Sequence, residues 1–345
     1  MCGIAGIAHP DAARLAASMG EQIVHRGPDE QGLYADPDGG FAIAARRLSV
    51  IDVPGGHQPI SNEDGTVWAA QNGEIYNFEQ LRKQLEASGH QFATRCDTEV
   101  LVHLYEQYGR DLVHAIEGMF AFAIWDQRRR RLLLGRDRCG EKPLFVRSSA
   151  DGIAFASELG ALLQCDNTRS WPVDAAVLDA YFVLGYVPPS QALVAGVTQL
   201  PPGSILEWSP GAEPVLSTYW QPPAAPLSAD SRKRGELVDE TEARLAEAVR
   251  SRMISDVPLG LFLSGGLDST LIAAIAREQG EVRTFSVGYD VGSVSETKAA
   301  AAVARMLGTP HEELLLRVGD VQEQALGVLG AIRSEEHTSE LQSPC

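Results

Sequence analysis

Lysine is scarce in this 345-residue chain: only Lys83, Lys142, Lys233 and Lys298 occur among its 29 basic residues. Positive charge as a whole is in short supply, with 46 acidic residues and a formal net charge of −17. A broad nucleic-acid surface needs clustered Lys and Arg, so that class of partner is excluded. Small anions can still be held locally. The surplus of arginine over lysine, with abundant alanine, points to a GC-rich source genome rather than to a mechanism. Long apolar runs are missing too: none approaches the roughly 20 residues of a membrane span. No basic segment leads into an apolar one after Met1, so no secretory signal is read there. Cysteines are few and dispersed (Cys2, Cys96, Cys139, Cys165, Cys345), without a CxxC pair. They require neither a disulfide framework nor a zinc site, and a reduced, cytoplasmic setting is the simplest expectation.

What is present is an ordinary globular composition, 44% hydrophobic and 22% charged, at a length that suggests two domains. The first half reads as β-rich. Gly3–Ala8, Phe41–Ala44 and Thr66–Asn72 are apolar strands, and Met119–Trp125 with Arg131–Arg136 flanks a polar turn as a hairpin does. The arginine run 128–131 is a solvated loop tip. Apolar spacing predicts helices over Ala12–Ile23, Glu79–Ser88 and Glu99–Tyr108. Between about 165 and 235, recurrent prolines predict turns and short strands, and 228–235 reads as a linker. Beyond it, helix 236–251 precedes an alternation of strands (258–263, 282–288, 312–317) with helices (268–279, 296–307). Such alternation predicts a parallel sheet with crossover helices. Three strands are too few for a covered doubly wound domain, so the second domain is expected to be partial. Residues 333–345 depart in style and resemble an adapter sequence translated in frame, foreign to the chain.

Two stretches carry chemistry. Removal of Met1 leaves Cys2 first, with an α-amine of pKa about 7.7–8.0 able to take its thiol proton. Around it, Met1–Gly6, His25-Arg26-Gly27-Pro28-Asp29, Arg47-Leu48-Ser49-Val50-Ile51-Asp52 and Asn72-Gly73-Glu74-Ile75-Tyr76-Asn77 stand in order. Cys96-Asp97-Thr98-Glu99 and Gly135-Arg136-Asp137-Arg138 follow. This set resembles the class II glutamine amidotransferase domain, an N-terminal-nucleophile hydrolase with an αββα sandwich. The resemblance implies Cys2 as nucleophile and Asn72 and Gly73 as oxyanion donors. It further implies a glutamine site of Arg47, Leu48, Ser49, Val50, Ile51, Asn72, Gly73, Glu74 and Asp97. Arg47 would fork onto the α-carboxylate, and Asp97, helped by Glu74, would take the α-ammonium. His25 is not read as a general base, because the terminal amine fills that role. The other cysteines are read as buried or incidental.

The second stretch, Leu263-Ser264-Gly265-Gly266-Leu267-Asp268-Ser269, follows a strand and opens a helix. Glycines there let backbone N–H groups face an anion. It lacks the GxxxxGK[ST] lysine and is instead an SGGxDS loop, as in enzymes that split ATP into AMP and pyrophosphate. The whole arrangement resembles the glutamine-hydrolysing asparagine synthase family. That resemblance implies pyrophosphate on Ser264, Gly265, Gly266 and Ser269, with Asp268 placing Mg²⁺. Leu263 and Val287 would bracket adenine. The expected domains are residues 2–205 (glutaminase), 206–235 (Pro-rich connection), 236–332 (partial ATP-pyrophosphatase domain) and 333–345 (tail). Glutamine, aspartate and ATP are the expected small-molecule partners, with a homodimer allowed. The family's GEGxDExFGGY block is not in the chain, so glutamine hydrolysis is the capacity expected of it. An amidotransferase acting on another carboxylate, in exopolysaccharide or secondary-metabolite synthesis, is the alternative.

Overall fold

The computed structural model describes residues 2–149, 152–165, 171–224, 232–289 and 296–317. Contacts divide them into one unit up to Pro222 and another from Pro223.

The first unit starts with β1 (Gly3–Ile7), α1 (Ala12–Glu21), β2 (Glu30–Ala35), β3 (Ala42–Arg47), β4 (Ile60–Ser61) and β5 (Val67–Ile75). Next come α2 (Phe78–Ala87), α3 (Glu99–Tyr108), β6 (Gly118–Asp126), β7 (Arg131–Arg136), β8 (Phe145–Ser149) and β9 (Gly152–Ala156). It ends with α4 (Leu159–Leu162), α5 (Ala175–Leu184), β10 (Val197–Gln199), β11 (Ser204–Trp208) and β12 (Val215–Thr218). The strands form two six-stranded sheets, ordered β10-β8-β9-β1-β3-β2 and β12-β11-β7-β6-β5-β4.

Period-two alternation decides which side chains fill the space between the sheets. Ala121, Ala123 and Trp125 of β6 meet Ile4 and Ile43 there, and Trp125 stacks on Phe41 at 4.0 Å. On the outer face of the first sheet, Ala5 and Ile7 instead meet Leu15 and Met19 of α1. Helix α3 packs on β5 of the second sheet. Helix, sheet, sheet, helix is the αββα order expected from the sequence. Strand β1 is buried along its whole length. A Cβ at Gly6 would lie 2.4 Å from the Phe155 ring, so only glycine lets this central strand pass.

Two expectations need correction. The sandwich does not end at 205: β11 pairs with β7, and β12 pairs with β11 through Ser204↔Thr218. Pro210 and Pro214 sit between these strands and not inside them, so no ladder bond is lost. The proline-rich stretch also holds a helix, α5. The Asp174 side chain caps it by accepting from Ala176 and Val177 N–H groups, and Gly185 stops it at φ +80°.

In the second unit, α6 (Arg234–Ser251), β13 (Gly260–Phe262), α7 (Leu267–Gln279), β14 (Arg283–Tyr289), α8 (Thr297–Leu307) and β15 (His311–Leu316) alternate. The strands form a parallel sheet in the order β13-β14-β15. Helix α6 starts at Arg234, inside the stretch expected to be linker. Residues 333–345 lie outside the described residues.

Candidate active site

Cys2 stands just before β1, and the protein holds it by its own backbone. Arg26 Nε donates to the Cys2 carbonyl at 2.9 Å. With its amide oriented to satisfy both ends, Asn72 donates to the same oxygen at 2.8 Å and accepts from Arg26 at 3.3 Å. Arg26 is in turn fixed by Glu158, 3.1 Å away, which also accepts from His25 at 2.8 Å. Glu158 and the Arg26 side chain are buried, so this ion pair is shielded from solvent. Two residues on, Ile4 and Ser157 exchange hydrogen bonds at 2.9 and 2.8 Å, tying β1 to the segment after β9.

The Cys2 thiol points at the Leu48 carbonyl, 3.7 Å away. Burial pushes its pKa up, and the Asp97 charge adds to this, while the hydrogen bond with Leu48 and the Arg47 charge pull it down. The resting group is therefore a thiol that needs a base, not a free-standing thiolate.

A cavity of about 140 Å³ opens at Cys2. Asn72, Gly73 and Glu74, at the end of β5, line it together with Arg47, Leu48, Val50 and Ile51 from the end of β3 and the loop after it. Asp97, just ahead of α3, completes the expected set. Ser49 is not among the lining residues. Its N–H instead donates to Asp29 at 2.9 Å, and its hydroxyl is buried without a hydrogen bond.

Asp97 is buried, accepting from Gln71 at 2.6 Å and from the Ile75 N–H at 2.9 Å. Burial raises its pKa despite these bonds, and Glu74 is raised by burial first and by Asp97 second. Two carboxylates strained in this way favour a cation beside them.

Arg47 differs from expectation. Its terminal nitrogens donate to the carbonyls of Ile51 (2.6 Å), Asp52 (2.8 Å) and Val53 (3.3 Å) and to Glu30 (3.3 Å). The fork is thus committed to the loop that carries Val50 and Ile51. What the cavity receives from Arg47 is its charge and a braced wall.

Gly73 is also fixed by its neighbours. At φ +145°, a Cβ would lie 2.0 Å from the Met119 carbonyl of the neighbouring strand. Glycine is needed there for strand packing. Sequence reasoning missed Gln58, Cys96, Met119 and Lys142, which share the cavity wall. They come from separate loops and strands, and only the hairpin register and chain reversals bring them in. Cys96, read as buried or incidental, is buried, and its thiol donates to Asp97 at 3.4 Å.

In the second unit, the Ser264 and Ser269 hydroxyls lie 2.9 Å apart, and Ser264 Oγ accepts from the Gly266 N–H at 3.2 Å. Gly266 opens α7 with no side-chain cap, leaving that helix's first N–H groups for another acceptor. Gly265 has φ +81°, and a Cβ would lie 2.7 Å from Ala299, so the loop and α8 fit only around glycine. Asp268 lies in the first turn of α7. The Leu263 side chain is buried among Ala273, Ala300 and Ala304, and so is not free to stack on a base; Val287 is exposed.

Residues 1–220 match the family described as glutamine amidotransferase domain. The chain belongs to that glutamine amidotransferase family. Residues 240–344 of this amidotransferase match the family described as asparagine synthase. Over 316 residues it is 39% identical to asparagine synthetase [glutamine-hydrolyzing] 1 of Bacillus subtilis, covering 89% of this chain and 49% of that one. A putative asparagine synthetase [glutamine-hydrolyzing] of Mycobacterium tuberculosis is 37% identical over 336 residues, at 90% and 51% coverage. Asparagine synthetase [glutamine-hydrolyzing] 2 of Arabidopsis thaliana is 34% identical over 339 residues, at 93% and 52%. The chain thus spans about half the length of these curated relatives. Among solved structures, the allosteric regulatory enzyme of purine biosynthesis shares the fold, with a TM-score of 0.50 and 18% identity over 92% of this chain and 80% of that one. Among the described residues no helix is long and apolar enough to cross a membrane.

Proposed function

We propose that this chain hydrolyses glutamine at Cys2 and is part of an enzyme that passes the ammonia to ATP-activated aspartate, forming asparagine. The observation that carries the reading is the double grip of Arg26 and Asn72 on the Cys2 carbonyl, which sets the thiol at a cavity containing Glu74 and Asp97. With Met1 removed, the neutral α-amine takes the Sγ proton and the sulfur attacks the side-chain amide carbon of glutamine. The oxyanion is received by the Gly73 N–H and by the Asn72 N–H not used on Cys2. Collapse expels ammonia and leaves a glutamyl thioester, which water cleaves to glutamate and the thiol. Asp97 and Glu74 take the α-ammonium, while Arg47, Leu48, Val50 and Ile51 face the α-carboxylate, with Ser49 bracing their loop through its N–H on Asp29.

In the second unit, Ser264, Gly265, Gly266 and Ser269 would hold pyrophosphate, a donor set suited to an anion. The Asp268 carboxylate offers the oxygen ligand that Mg²⁺ prefers, and Mg²⁺ bound there would neutralise charge on the leaving pyrophosphate. ATP converts the aspartate side-chain carboxylate into an acyl-adenylate, ammonia displaces AMP, and exclusion of water protects that intermediate. Leu263 and Val287 remain the proposed neighbours of adenine, Leu263 through its backbone. A cytoplasmic homodimer without nucleic-acid or membrane partners belongs to the same reading. The similarity to three asparagine synthetases supports aspartate as acceptor.

Cys2→Ala should abolish glutamate release from glutamine without changing the melting temperature; unchanged turnover overturns the reading. Acceptor choice is tested by ATP–pyrophosphate exchange in the chain extended to its relatives' length. Exchange that requires aspartate supports asparagine formation. Exchange that requires a different carboxylate assigns another amidation.

A further inference from the structure

Away from the cysteine cavity, four side chains from three separate segments converge: Glu63 from the β4–β5 turn, His90 from the α2–α3 connection, and His103 with Glu106 from α3. One donor atom from each lies within 4.8 Å of all the others. Glu63 approaches His90 Nδ1 at 3.2 Å and His103 Nδ1 at 3.4 Å, and Glu106 approaches the same two nitrogens at 3.8 and 3.7 Å. His103 is 0% exposed, yet neither of its ring nitrogens makes a hydrogen bond. Buried polar groups are ordinarily satisfied, so an imidazole left this way calls for a partner.

We propose that Glu63, His90, His103 and Glu106 bind a divalent transition-metal ion, with zinc the best match. Two imidazoles and two carboxylates form a donor set zinc accepts, and the two negative charges balance the ion. Tetrahedral zinc with bonds of about 2.0–2.2 Å holds its donors roughly 3.3 Å apart. The cluster reaches that spacing by small movements of the exposed Glu63 and Glu106 and the half-buried His90, around a fixed His103. His103 and Glu106 are three residues apart and so share one face of α3.

The surroundings suit ligation. His103 Nδ1 faces the cluster, and on the other side of the ring Nε2 lies 3.7 Å from Glu99, placed as the outer carboxylate that orients a ligating histidine. The absence of paired cysteines bears only on thiolate sites, not on one built from imidazole and carboxylate. A bound ion would clip the β4–β5 turn and the α2–α3 connection to α3, the helix that follows Asp97.

The test uses the whole chain carrying Cys2→Ala, so that the terminal amine and thiol cannot chelate the probe. After chelator treatment, zinc chloride is titrated against a chromogenic chelator. Uptake of one zinc per chain is expected, together with a higher melting temperature. His90→Ala and Glu106→Gln, at sites open enough to leave folding intact, should each weaken uptake about tenfold or more and remove the thermal shift. Cobalt(II) in place of zinc should give a tetrahedral spectrum without thiolate charge-transfer bands. No uptake overturns the proposal. Uptake that survives both variants, or that shows thiolate bands, overturns it too.

Discussion

Arg26 holds the backbone carbonyl of Cys2 at 2.9 Å while its other face is locked to the buried Glu158. One guanidinium thus links the position of the nucleophile to a charge that has no solvent to fall back on. Arg26→Ala should cost about 3–5 kcal/mol of stability by removing the guanidinium from the buried Glu158 and leaving it His25. Arg26→Lys restores the charge but not the fork, and should recover stability more fully than glutamine turnover. Thermal melts and glutamate-release assays on both variants separate the two effects. Equal recovery of stability and activity by lysine would show that the grip on Cys2 is not what Arg26 supplies.

Gly73 carries a second mechanical constraint. A methyl group there meets the Met119 carbonyl at 2.0 Å, and φ is +145°, where L-residues are strained. Gly73→Ala should therefore lower stability by about 3–5 kcal/mol, with activity lost alongside. A denaturant midpoint within error of the parent would refute this account of the strand.

How much of this the sequence carries depends on whether a signal is local. Helix α3 has the bounds that apolar spacing predicts, Glu99–Tyr108, with Gly109 at φ +58° ending it, although every residue from Glu99 to Tyr105 is buried. The β6–β7 hairpin is equally readable, two apolar runs about a polar turn. Helix α5 is not: AAVLDAYFVL is apolar almost all round, so it has no 3.6 period, and the nearby prolines draw the eye to turns. Within the cavity, the motif blocks carry Asn72 and Asp97, whereas Met119 arrives through strand register and Lys142 on the loop between β7 and β8. Arg26 lay inside a block that was read, yet its work on the Cys2 carbonyl depends on Glu158, 132 residues away. Nor does anything in the spacing of Glu63, His90, His103 and Glu106 announce a cluster, beyond the three-residue step of the last two.

A pH dependence follows from the raised thiol. Because burial keeps Cys2 protonated, activity must wait on the α-amine, whose ordinary pKa is about 7.7–8.0. The amine works as a base only when neutral. kcat/KM for glutamine should therefore fall as pH drops below that range, by about tenfold per pH unit, on a single ionisation. A profile flat from pH 8 to pH 6 would mean that another group takes the proton.

Asp97 sets stability against binding. Burial raises its folded-state pKa above the unfolded value of about 3.9, so the ionised carboxylate weighs against the fold at neutral pH. That penalty fades as pH falls through the raised value. Asn in its place can still accept from Gln71 and Ile75 through its oxygen, while its amide faces the Cys96 sulfur. Asp97→Asn should accordingly raise the melting temperature in the absence of glutamine, by roughly 2–4 °C per kcal/mol relieved. The gain should shrink on mild acidification, as the parent sheds its own charge. The same change removes the partner of the α-ammonium, so KM for glutamine should rise about tenfold or more. A variant that is no more stable than the parent at neutral pH, or that binds glutamine equally well, would remove Asp97 from the substrate-holding role.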